Sequence, residues 1–224
     1  MINKKKYTVV KKEDNIDALR LVNSWNDIPS IVIGKDSYLW INNGYKPKVI
    51  IKVFHTGKNI FLYFKVFEKK IKIKHTEFGG SVWKDSCVEF FINPFPEDSE
   101  EYFNIEINAF GIPLIGVGKA GDDKKRYYFK KKEVKDWEII SSIKNIINGE
   151  HGKDYWELYV KIPKSFFENY YQKPFDVKKS IANFYKCGDE TEFEHYGAWS
   201  GIESPEPNFH LPRFFGEIIF SDNK

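Results

Sequence analysis

Phe103-Asn104-Ile105-Glu106-Ile107-Asn108-Ala109 alternates apolar and polar residues over seven positions. Side chains on an extended strand point to opposite faces in turn, so Asn104, Glu106 and Asn108 share one face and the apolar residues take the other. That period predicts a strand packed on a core by one side. Runs of the same kind flank it at Ser86 to Ile92 and Ile112 to Val117. Farther out, Val49 to His55 and Ile60 to Phe67 are joined by Thr56-Gly57-Lys58-Asn59, a hairpin signal. Glu138 to Ile147, Tyr155 to Ile162, Ser180 to Cys187 and Phe214 to Phe220 complete the set. In the second of these, Trp156, Leu158, Val160 and Ile162 fall on the core parity, so Trp156 reads as a core residue. Helical pattern is confined to Asp14 to Val22 and Pro163 to Tyr171. Many short strands between turns predict an all-β chain, a single antiparallel β-sandwich with minor helical decoration. No linker, repeat or low-complexity tract divides residues 1–224, so one domain is expected.

Composition narrows the function. Hydrophobic residues at 42% suffice for a core without disulfides, and the 20 Phe, 13 Tyr and 6 Trp serve equally as core or as stacking platforms. With 35 Lys+Arg against 32 Asp+Glu, the net charge of +3 argues against a nucleic-acid partner. The most basic stretch, Lys124 to Lys135, is broken by Tyr127, Tyr128 and Phe129 and reads as a solvated hairpin. No run approaches the roughly 20 apolar residues of a membrane span, so no membrane partner is expected. The lysines near Met1 precede no apolar run of signal-peptide length, which predicts a cytoplasmic address and two free cysteines.

The stretch with most chemical content is Ser81-Val82-Trp83-Lys84-Asp85-Ser86-Cys87-Val88-Glu89-Phe90-Phe91-Ile92. It resembles carbohydrate-binding module family 9-like proteins, which carry a tryptophan, an Asp two residues on and a Glu six on, leading into an apolar strand. Tyr102 to Asn108, Ile181 to Asp189, His195 to Ser200, Pro207 to Pro212 and Phe214-Phe215-Gly216 resemble later blocks of the family, in order. The resemblance implies a sandwich of the immunoglobulin-like or DOMON type that binds a mono- or oligosaccharide and is not an enzyme. It implies that Trp83 and Trp199 clamp a terminal sugar while Glu89 holds its hydroxyls. A pyranose packs its C–H faces on aromatic rings, and its hydroxyl rim needs charged or amide partners. On an extended strand Trp83, Asp85, Cys87 and Glu89 would share one parity. The family's Asn three residues before the second tryptophan is here Tyr196, whose phenol lacks an amide's paired geometry. Glu106 and Asn108 are candidates for the same concave face, with a plain solvent face as the alternative. Lys186 is a candidate for a sugar hydroxyl, with a solvated lysine as the alternative. Asp85 reads equally as a turn brace, and His210 as a structural histidine.

Other chemistries have less support. Cys187, Asp189 and His195 are close in sequence, but nothing marks a nucleophile elbow, a P-loop or a dinucleotide glycine pattern. Five scattered histidines and two distant cysteines show no metal-ligand spacing, so no cofactor is expected. Relatives carry structural calcium, for which Glu97 to Glu101 is the acidic loop to consider, although it lacks an EF-hand's order. Met1 is the sole methionine, which leaves no Met/His pair for the haem that some DOMON-type sandwiches hold.

Overall fold

The computed structural model describes residues 4–14, 25–143 and 154–222. Two sheets pack face to face. The first is centred on β6 (Cys87–Asn93), β7 (Tyr102–Asn108) and β12 (Lys179–Cys187), which pair antiparallel. Beyond β7 lie β8 (Pro113–Gly118) and the two-residue β9 (Tyr127–Tyr128). The other edge of β12 is shared by β13 (Tyr196–Ala198) and β14 (Gly216–Phe220), and β13 continues to β3 (Tyr38–Leu39). The second sheet runs β10 (Glu138–Ser141), β11 (Trp156–Pro163), β5 (Asn59–Val66), β4 (Val49–His55) and β2 (Ser30–Ile33), all antiparallel.

The sandwich is mixed rather than purely antiparallel. Strand β1 (Lys6–Lys11) runs parallel to β14 through Lys6 to Val9, then parallel to β4 through Val10 and Lys11. It therefore passes from one sheet to the other. Its short run of alternating burial gives no sequence cue to that direction. Strands β1, β2, β3, β9 and β13 lie outside the runs read from periodicity. The hairpin of β4 and β5 forms where Thr56 to Asn59 predicted it, and the Thr56 hydroxyl accepts the Lys58 and Asn59 amides. Helix α1 (Lys164–Tyr171) begins directly after Pro163, whose missing N–H costs nothing at a helix start. The helix expected over Asp14 to Val22 and the end of the strand expected over Glu138 to Ile147 fall largely outside the described residues. No helix among the described residues is long and apolar enough to cross a membrane.

The core lies between the sheets. From the first come Phe90, Phe103, Ile105 and Phe184; from the second, Ile51, Leu62, Phe64 and Trp156. Trp156, Leu158, Val160 and Ile162 are all fully buried, as their parity required. Each such side chain contributes about 1.5–3 kcal/mol relative to exposure. The first sheet is also covered on its outer face. Segment 200–215 lays Ile202, Phe209, Phe214 and Phe215 over Phe91, Tyr102, Tyr185 and Tyr196 to form a second core. Phe209 stacks on Tyr185 with ring centroids 4.0 Å apart. The polar alternation of β7 therefore faces a covered cleft instead of bulk water.

Candidate functional site

The cleft has a volume of about 360 Å³, within the ~300–1,000 Å³ range of ligand sites. Its floor is the outward parity of the first sheet: Glu89 of β6, Glu106 of β7, Leu114 of β8 and Cys187 of β12. Trp83, Asp189 and Tyr196 form one wall, Pro207 to His210 overhang it, and the half-exposed Tyr128 marks the far rim. Aromatic and carboxyl groups thus converge on one space, with no lysine or arginine among its lining residues.

Trp83 is placed by a 3-10 turn, Val82–Lys84, and not by a strand. The extended run expected from Trp83 to Glu89 begins only at Cys87, so parity does not relate the two. The turn is fixed from two sides. Asp189 N–H donates to the Trp83 carbonyl at 3.2 Å, and the Asp85 carboxylate accepts the backbone amides of Lys74 and His75 at 3.0 and 2.9 Å. Asp85 is therefore a brace. Trp83 is left half-buried and lines the cleft.

Glu89 and Glu106 are direct cross-strand partners on the same face. Burial pushes the Glu89 carboxyl well above its ordinary value, with the neighbouring Glu106 adding to the rise. Burial also raises Glu106, to about 7, against the lowering effects of Asn104 and Arg126. Asp189 is raised to about 6 by burial and then by Glu194. Behind the floor, Arg126 donates to Asn104 Oδ1 at 2.9 Å, and Asn104 Nδ2 donates to Glu106 Oε1 at 2.9 Å. Arg126 also donates to the Tyr102 hydroxyl at 2.6 Å, which in turn bonds His210 Nδ1 at 2.8 Å. One guanidinium thus orients both a floor carboxyl and an overhanging imidazole. Glu106 Oε2 has no hydrogen-bond partner among the described residues.

Three expected site residues lie elsewhere. Trp199 is 5% exposed and belongs to the core between the sheets, 5.7 Å edge-to-face from Phe184. Three positions separate it from Tyr196, an odd number, so an extended chain sends the two side chains to opposite faces. Its ring covers Gly216, where an added Cβ would meet ring carbons at 2.7 Å. The two-tryptophan clamp is therefore not assembled, since Trp199 does not line the cleft. Lys186 shares inward parity with Ala182 and Phe184 and is fully buried. It pairs with Glu68 at 3.3 Å and donates to His195 Nε2 at 2.8 Å, while the Trp156 indole donates to Glu68 at 3.0 Å. Burial, then Lys186, holds His195 neutral, with its value lowered to about 2. Asn108 is spent locally: its amide donates to the His75 carbonyl and Asp85, and its oxygen accepts the Phe110 and Ile112 amides.

Tyr196 does line the cleft, and its hydroxyl donates to Glu194 at 2.7 Å. Cys187, Asp189 and His195 do not form a nucleophile. His195 Nδ1 bonds the Phe193 carbonyl at 2.6 Å and Nε2 faces Lys186, whereas the Cys187 thiol donates to Glu89 Oε1 at 2.9 Å. Cys87 and Cys187 are both thiols, and burial raises each, Cys87 to about 11. In the acidic loop, Asp98 pairs with Lys173 and Glu100 with Lys119, so those two carboxylates are drawn to lysines. Sequence reading missed Leu114, Tyr128, Asp189, Phe209 and the supporting Arg126. Asp189 and Phe209 lie within the family-like blocks Ile181 to Asp189 and Pro207 to Pro212, which was the available signal for those two.

The sequence model of carbohydrate-binding family 9 matches residues 25–220. Among solved structures, a "putative carbohydrate-binding protein" from Bacteroides uniformis is 31% identical, with a TM-score of 0.81 over 97% of this chain and all of that one. A family 9 module from Caldicellulosiruptor kristjanssonii in complex with glucose is 12% identical, with a TM-score of 0.63 over 98% of this chain and 99% of that one. A module from the same organism in complex with cellotriose is 10% identical, with a TM-score of 0.64 over 98% of this chain and 95% of that one. At these identities the last two share the fold. No curated protein matches the chain.

Proposed function

Because the chain belongs to carbohydrate-binding family 9, we propose that it binds a short or terminal saccharide in the cleft on the outer face of the first sheet and leaves it intact. The observation that carries this reading is the half-buried Trp83 standing beside a floor of two carboxyls. The indole offers an apolar face to the C–H side of a pyranose, and Glu89 and Glu106 offer hydrogen bonds to its rim. Burial raises both carboxyls and so favours their protonated forms, and a protonated carboxyl both donates and accepts, as a hydroxyl does. Tyr196 and Phe209 add aromatic wall in place of a second tryptophan. The neighbours solved with glucose and cellotriose support a saccharide as the ligand. Binding without cleavage is supported by the family, whose matching model is a carbohydrate-binding one.

Calorimetric titration with a panel of mono- and oligosaccharides tests the reading. Trp83→Ala should abolish saturable binding. Glu89→Leu, which keeps volume but removes both hydrogen-bonding functions, should cost about 1–3 kcal/mol. Unchanged affinity in Trp83→Ala would remove the cleft from consideration, and shortened oligosaccharides after incubation would replace binding by hydrolysis.

A further inference from the structure

Cys87 and Cys187 are direct partners in the register of β6 and β12, and Glu89 follows Cys87 on the same face of β6. The two sulfurs and a Glu89 oxygen all lie within 4.8 Å of one another. All three residues are buried. Two thiols and one carboxylate form the donor set of a borderline-soft metal. Zn²⁺ takes thiolate sulfur at ~2.3 Å and carboxylate oxygen at ~2.0–2.2 Å in tetrahedral sites. Hard cations such as Ca²⁺ require six to eight oxygens, which this cluster does not offer.

We propose that Cys87, Cys187 and Glu89 constitute a Zn²⁺ site with three protein ligands and a fourth position open to the cleft. Glu89 and Cys187 line that cleft, so an ion has a path in. On binding, each thiol and the Glu89 carboxyl lose their protons to solvent, and the two sulfurs and one carboxylate oxygen supply the lone pairs that bond the zinc. No oxidant or reductant takes part. Two thiolates and a carboxylate leave the site with one net negative charge. The Lys186 ammonium offsets it from the other side of the strand, where it donates to the Cys187 carbonyl at 2.8 Å. The proposal rests on this cluster and does not depend on the saccharide reading.

The test uses the whole chain, purified with reductant, stripped by chelator and titrated separately with Zn²⁺ and Cd²⁺ in the absence of sugar. Cd²⁺ should raise an ultraviolet thiolate-to-metal charge-transfer band that saturates at one ion per chain. X-ray absorption of the zinc form should show two sulfurs at ~2.3 Å with lighter atoms completing the shell. Cys87→Ser and Cys187→Ser should each weaken zinc by more than the ~10–100-fold that follows loss of an outer-shell partner. No charge-transfer band at saturating Cd²⁺, or a zinc shell without sulfur, would overturn the site. Both readings come from the unsubstituted protein, so misfolding of a variant cannot obscure them. Saccharide titration of the chelator-treated protein is read separately, which keeps the two proposals distinguishable.

Discussion

At the scale of single residues, the two tryptophans of the family pattern have opposite fates. Trp199 fills the space between the sheets against Phe184 and Gly216, while Trp83 rests on a turn and lines the cleft. Trp199→Ala should therefore cost about 3–5 kcal/mol, the usual penalty for an emptied aromatic site. Trp83→Ala should cost much less. Urea denaturation of both variants checks this, and equal losses would contradict the assignment. The difference was partly legible in the sequence. Parity from Tyr196 to Trp199, and from Phe184 to Lys186, assigns opposite and equal faces in turn, and both assignments hold. The resemblance drew Trp199 to the site by motif, and Lys186 was a candidate as a polar residue on the Ser180 to Cys187 run; parity alone separates both from the cleft. Trp83 was out of parity's reach, because a 3-10 turn interrupts the strand that parity assumes.

At the scale of elements, the first sheet carries polar residues on a face that is not solvated. Period-two alternation shows which residues share a face, but it is silent about what covers that face. The cover is segment 200–215, whose Phe209 and Phe215 show no regular period. Most strands were legible for the opposite reason, since their inward residues meet a core by simple alternation. Strand β8 offers a direct test of the floor. An added Cβ at Gly116 would sit 2.6 Å from Asn104 Oδ1 and 3.0 Å from the Tyr128 ring. Asn104 would have to leave its place between Arg126 and Glu106. Gly116→Ala should then weaken saccharide affinity several-fold and cost about 1–3 kcal/mol through overpacking. Calorimetry with paired denaturation measures both. Unaltered affinity would show that the asparagine does not set the Glu106 geometry.

At the scale of the whole molecule, the cleft should leave a mark on stability against pH. Glu106 rises from an ordinary 4.5 to about 7 in the folded chain. Between those values the native state keeps a proton that the unfolded chain has released, so stability falls as pH rises through the window. Glu89 and Asp189 are also raised and act with the same sign. His195, lowered to about 2, acts oppositely: its unfolded form gains a proton below about 6.5, which favours unfolding as pH drops. Comparing wild type with Glu106→Gln isolates the one carboxyl. The wild type should lose melting temperature relative to the variant from pH 4.5 to 7, and parallel profiles would refute the shift. The parallel strand β1 carries a different consequence. Its partner β14 lies some two hundred residues downstream, so a chain emerging from the ribosome cannot close the sandwich until residues 216–220 appear. Until then β12 lacks one neighbour and β1 cannot bridge the sheets. Synthesis therefore leaves a long interval of unpaired edges, during which a chaperone or a second nascent chain would find strands to bind.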